Sequence, residues 1–212
     1  MNETHDPSAE VFKHEAMATW FQIHITGEEP SFARAAAVEA FRLLDRLETL
    51  LSRYQEDSEI AVISRLYAGE SFIADPEVFN CLALALTLSE QTNGAFDPAL
   101  GAAADQRRGL TVSGGGRGRL ILEAAANRVC CENGSVSLDL GAIGKGYALD
   151  RMAELLQEWG VGNALLVGGG SSVKTLAADA DTAPRWSCGL PDGSTLWLKN
   201  CALGCSGAAV QG

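Results

Sequence analysis

The feature that most restricts the fold is the run LDLGAIGKGYALD at 138–150. Apolar residues lead up to one acid, Asp139; the small residues Gly141, Ala142 and Gly144 follow; Lys145, Gly146 and Tyr147 then open a helical pattern that ends at Gly160. Glycines allow backbone to approach another group closely. A helix start also presents N–H groups and the positive end of the helix dipole to an anion. The run therefore predicts a turn from extended chain into helix, with Lys145 able to pair with a phosphate. Asp139 can accept from a sugar or base donor or help to hold a hard cation. The spacing is not that of a Walker A loop, because no serine or threonine follows the lysine. By spacing alone, an ordinary turn with a helix-opening lysine fits equally well.

The flanking chain alternates strand and helix signals. ATWFQIHIT at 18–26 has strand composition, with Phe21, Ile23 and Ile25 on one face. Gly27 and Pro30 break it, and Ser31 is placed to cap a long helix over 31–53 whose apolar residues Ala37, Phe41, Leu44, Leu47 and Leu51 recur at helical spacing. A loop with a short helix follows. Asp75-Pro76 starts a further helix that Asn93-Gly94 ends. VSGGGRGR at 112–119 reads as a glycine-rich loop. Residues 127–140 read as a hairpin about Asn133-Gly134, and GLPDGSTLWLKN as another about Asp192-Gly193. NALLVGGG is a buried strand running into glycines.

Three further stretches carry possible chemistry. In TNGAFDP at 92–98, a helix cap followed by a turn capped by Asp97 is the stronger reading, though an aromatic and an acid there could meet a planar ring. VGGGSS at 167–172 suggests either a phosphate loop or close backbone packing. Tyr54, in SRYQEDSEI, is either a half-buried anchor or a stacking platform. The three histidines all lie within the first 24 residues, so no Ser-His-Asp arrangement can be drawn from the rest of the chain.

Composition narrows the classes. The net charge of −11 over 212 residues argues against binding to nucleic-acid phosphates or to an anionic membrane surface. No apolar run approaches a membrane span. The polar N-terminus has no signal-peptide pattern, and the six cysteines show no CxxC, so a cytoplasmic chain with reduced thiols is expected.

In this order, MATW, YQEDSEI, TNGAFDP, DLGAIGKGYALD and GVGNALLVGGG resemble the ApbE-type FAD:protein FMN transferases. The resemblance implies an α+β fold, ApbE-like and T-fold-like, with antiparallel sheet elements and packed helices. It implies a polar extension over 1–16 and a flavin transferase domain over 17–212, incomplete at its C-terminus. It also implies a Mg²⁺-dependent reaction in which FAD is split at its pyrophosphate. FMN passes to a threonine or serine hydroxyl of an acceptor flavoprotein, such as a redox-pump subunit, and AMP is released. By position, Met17 corresponds to a residue lining the FAD site and Tyr54 to the aromatic that contacts the flavin nucleotide. Ala95, Phe96 and Asp97 correspond to the turn that wraps FAD, Asp139 and Lys145 to polar FAD contacts, and Ala142 to the residue whose carbonyl reaches the Mg²⁺ ion. Ala18 stands where the family pattern often has glycine. The family pattern continues beyond Cys205-Ser206-Gly207 with a histidine and a metal-binding helix, so the catalytic residues are expected outside these 212. An FAD-binding or FAD-hydrolysing relative without a protein acceptor, and an inactive binding module, are the alternatives.

Overall fold

A computed structural model describes residues 9–101, 105–106, 118–177, 185–190 and 193–205. Most of the glycine-rich run 112–119, together with Asp192, Ser206 and Gly207, lies outside the described residues.

In chain order, strands β1 (Glu10–Ala16) and β2 (Thr19–Ile25) form a hairpin, its register closing at Ala16↔Thr19. The two residues between them, Met17 and Ala18, both have positive φ, the signature of the type I′ turn that suits strand twist. Residues 10–16, set apart above as an extension, thus supply a paired strand; their mixed charges hide a weak alternation. Helix α1 (Pro30–Leu51) starts one residue earlier than expected. This places Glu29, not Ser31, at the cap: its carboxylate accepts from the N–H groups of Ser31 (3.0 Å) and Phe32 (3.2 Å). The Ser31 hydroxyl, then these N–H groups, hold the Glu29 carboxyl below its ordinary range. Helix α2 (Glu59–Ile63) is capped by Ser58, whose hydroxyl accepts from Ala61 N–H. After β3 (Ser71–Ile73), helix α3 (Pro76–Gln91) opens at Asp75-Pro76, the Asp75 carboxylate accepting from Glu77 N–H at 2.9 Å. It closes in a Schellman turn, Gly94 N–H to Ser89 C=O and Asn93 N–H to Glu90 C=O. Strands β4 (Arg119–Glu123) and β5 (Arg128–Asn133) follow, then α4 (Gly144–Glu158), closed by the same kind of turn at Gly160. The chain continues through β6 (Asn163–Gly168), β7 (Ser172–Ala177), β8 (Trp186–Gly189), β9 (Thr195–Leu198) and β10 (Ala202–Gly204).

These elements form two compact units, residues 1–46 with 145–212, and residues 47–144. The first is built on an antiparallel sheet of order β1-β2-β6-β7-β10. One face carries Phe21, Ile23 and Ile25, all buried, paired with Gly168, Leu166 and Ala164. A Cβ on Gly168 would stand 3.0 Å from the Phe21 ring and 3.4 Å from Leu149 of α4, so this helix lies close against the sheet. On the other face Leu165 and Val173 pack with Trp186, Cys188 and Leu198 of the β8–β9 hairpin. From Phe21 to Ile25, strand β2 is therefore buried on both faces, which its sequence does not announce. Its buried polar residues His24 and Gln22 meet through Nε2 and Oε1 at 3.3 Å, and beside it Asn163 of β6 donates to the Thr26 hydroxyl (2.7 Å) and accepts from the Trp186 indole (3.1 Å). VGGGSS is the β6–β7 turn. Gly169 has φ +61°, and a Cβ there would lie 2.9 Å from the Thr19 hydroxyl, so close packing accounts for Gly168 and Gly169.

The second unit holds a three-stranded antiparallel sheet of order β3-β5-β4, with α2 and α3. Here the expected hairpin about Asn133-Gly134 does not form. Both edges of β5 are already taken, by β3 and β4, and Asn133 accepts from Arg119 N–H through its side chain. Residues 135–140 instead run extended with Val136, Leu138 and Leu140 buried. They are held by single bonds: Leu138 N–H to the Ser64 hydroxyl, Gly101 N–H to Ser137 C=O and Asp139 N–H to Pro98 C=O.

Candidate functional site

Three stretches far apart in sequence converge within the second unit. The first follows α1. Ser52 accepts at its hydroxyl from Tyr54 N–H (3.2 Å) and Gln55 N–H (3.3 Å), and its carbonyl accepts from Ser58. This folded loop presents Tyr54 with 72% of its surface exposed, its ring 5.5 Å from the Arg53 guanidinium carbon. An exposed ring beside a cation is suited to a planar, electron-rich ligand face.

The second stretch follows the Schellman turn of α3. Phe96 N–H donates to the Thr92 hydroxyl (3.1 Å), and the Asp97 carboxylate accepts from Ala99 N–H (2.8 Å). Asp97 thus caps its own turn, as the local reading expects. Ala95 is exposed and Phe96 half-buried.

The third stretch is 139–144. Asp139 Oδ1 accepts from Gly141 N–H at 2.8 Å, and Leu140 C=O accepts from Ile143 and Gly144 as the chain bends toward α4. Asp139 Oδ2 accepts from Arg53 Nη1 at 2.6 Å. The other guanidinium nitrogen reaches Asp105 Oδ2 at 2.5 Å and Gly101 C=O at 3.3 Å. The three charged side chains are 13–21% exposed. A part-buried guanidinium fork shared by two carboxylates and a carbonyl fixes all of them, since charge-assisted bonds strengthen away from water.

Tyr54, Ala95, Phe96, Asp97, Asp139 and Ala142 therefore all belong to the second unit. Met17 and Lys145 belong to the first, Met17 in the β1–β2 turn and Lys145 as the second residue of α4. The sequence reading overlooked Arg53 and Asp105. Arg53 left one trace, its place beside Tyr54 at the end of a long helix; Asp105, in AAAD, left none.

A hard cation asks for several oxygen ligands. Ala142 offers one carbonyl in an exposed turn, and Asp139 already serves Arg53 and Gly141. Among the described residues no group of three or more His, Cys, Asp or Glu could hold a metal ion. These residues do not by themselves make a Mg²⁺ site. Nor is any helix among the described residues long and apolar enough to cross a membrane.

The ApbE family pattern matches residues 17–211. An FAD:protein FMN transferase of Treponema pallidum (strain Nichols) is 27% identical over 175 residues, covering 73% of this chain and 48% of its own length. One from Klebsiella pneumoniae (strain 342) is 28% identical over 176 residues, with 76% and 52% covered. The chain thus spans about half the length of these curated relatives. Among solved structures, the apo flavinyl transferase ApbE of Pseudomonas stutzeri superposes with a TM-score of 0.73 at 23% identity, covering 91% of this chain and 65% of that one. An ApbE protein of Thermotoga maritima gives 0.74 at 24%, covering 92% and 69%. The mixed α/β fold with antiparallel sheets is that of these structures, and by its sequence match over nearly its whole length the chain belongs to the ApbE family.

Proposed function

We propose that this chain carries the flavin-nucleotide-handling part of an FAD:protein FMN transferase. In this reading a threonine or serine hydroxyl of an acceptor flavoprotein attacks the FMN-side phosphorus of FAD. The pyrophosphate bond breaks, a phosphoester to FMN forms, and AMP leaves. Tyr54 offers its ring to the nucleotide and the Ala95–Asp97 turn borders it. Asp139 accepts from a nucleotide donor through lone pairs left over from Arg53 and Gly141. By the family resemblance alone, Lys145 is assigned a phosphate contact and Met17 a contact with FAD. Magnesium dependence belongs to the same reading. With one carbonyl as the only donor assigned here, no step is routed through the ion.

The observation that carries the reading is the convergence of 52–54, 95–101 and 139–141 on Arg53. These are the stretches to which the family resemblance assigns nucleotide contacts, and nothing in their sequence separation requires them to meet.

The test is titration of FAD by flavin fluorescence, with and without Mg²⁺, beside Lys145→Ala. Saturable binding is expected, weakened about tenfold in the variant, as for loss of one charge-assisted contact. A chain shown to be folded by circular dichroism that leaves FAD fluorescence unchanged overturns the reading. AMP release without covalent flavin on an acceptor protein points to FAD hydrolysis instead of transfer.

A further inference from the structure

We infer that Arg53 is a positioning residue for the nucleotide site, setting the Asp139 carboxylate and, through it, the Gly141 turn; this rests on the flavin-nucleotide reading above. The geometry is specific. Arg53 Nη1 holds Asp139 Oδ2 at 2.6 Å, while Asp139 Oδ1 holds Gly141 N–H at 2.8 Å. A Cβ on Gly141 would lie 3.0 Å from Asp139 Oδ1, so this side chain and this turn are fitted to one another. The other arm of the fork anchors Asp105 and the Gly101 carbonyl, which belongs to the segment bonded to Ser137.

One guanidinium therefore separates two carboxylates and gives Asp139 a single orientation. Without it, two anions at the edges of one fork repel, and Asp139 turns away from Gly141. Lysine does not replace it, because a single ammonium on a flexible stem cannot match the planar fork that spans both carboxylates. Arg53 needs no contact with the nucleotide for this; it acts through Asp139.

The experiment measures FAD affinity by fluorescence for the 212-residue chain and for Arg53→Lys, Arg53→Met, Asp139→Asn and the Arg53→Met/Asp139→Asn double variant. All are read well below their thermal midpoints, which are measured in parallel. Arg53→Lys and Arg53→Met are expected to weaken FAD binding by about tenfold, the scale of one bond to a charged group. The double variant is expected to bind no more weakly than Asp139→Asn alone, since residues acting through one another are non-additive. A purely structural role for Arg53 lowers the midpoint and leaves affinity unchanged, or gives losses that add; either result overturns the inference. Should Arg53→Met not fold, Arg53→Lys with Asp139→Asn decides the same question. If the folded unsubstituted chain does not bind FAD, the functional reading itself falls and this inference with it. If that chain binds and the Arg53 variants bind equally well, only this inference falls.

Discussion

Position 18 holds an alanine with φ +56°, in a turn whose other residue, Met17, is also left-handed. That conformation costs an alanine about 1–2 kcal/mol, partly offset because glycine loosens the unfolded chain. Ala18→Gly is therefore expected to stabilise the protein by roughly 0.5–1 kcal/mol in urea unfolding, and a lower midpoint would refute the strain. Cys81 makes a second point at this scale. Burial, with Glu77 nearby, pushes its thiol from an ordinary 9.0 up to about 12. The folded state keeps a proton that the unfolded state releases, so this contribution to stability is complete below pH 9.0 and is lost as pH rises toward 12. Stability measured across the alkaline range should fall more steeply for the unsubstituted chain than for Cys81→Ala; equal slopes would remove Cys81 as the cause. Glu29 shows how a single residue misleads. Serine is the better-known cap, yet starting the helix at Pro30 hands the role to the residue before it.

Among elements, the helices were legible and one hairpin was not. Asp75-Pro76 at one end of α3 and Asn93-Gly94 at the other work through bonds within a few residues, so sequence alone reveals them. Asn133-Gly134 is as strong a local signal, but a hairpin needs a free strand edge. β5 has none, because residues 71–73 and 119–123 have occupied both. The segment 135–140 keeps the alternation of a strand and finds its partners elsewhere. One of its contacts has no room for change: a Cβ on Gly101 would lie 2.8 Å from Ser137 C=O and 2.9 Å from Leu138 C=O. Gly101→Ala must shift backbone, and a loss of about 1–3 kcal/mol is expected in urea unfolding. A loss below about 0.5 kcal/mol, the scale of an ordinary surface change, would show that the junction yields easily.

At the scale of the whole molecule, one compact unit is built from both ends of the described chain and the other from its middle, with one of the two divisions falling inside the 138–150 run. The candidate site was half legible. Tyr54, Asp97 and Asp139 could be picked out because each sits at a break between regular segments, where turn chemistry leaves a mark. Arg53 and Asp105 could not, because what distinguishes them is each other and Asp139, at separations of 52 and 86 residues. By itself the sequence determined the long helices, the caps of α3, about half of the strands and the α+β class, since those depend on periodicity and on bonds to near neighbours. Only the tertiary structure decided which strand edges were still free, why β2 is buried on both faces and which charges share one guanidinium, because such choices depend on where distant segments come to rest.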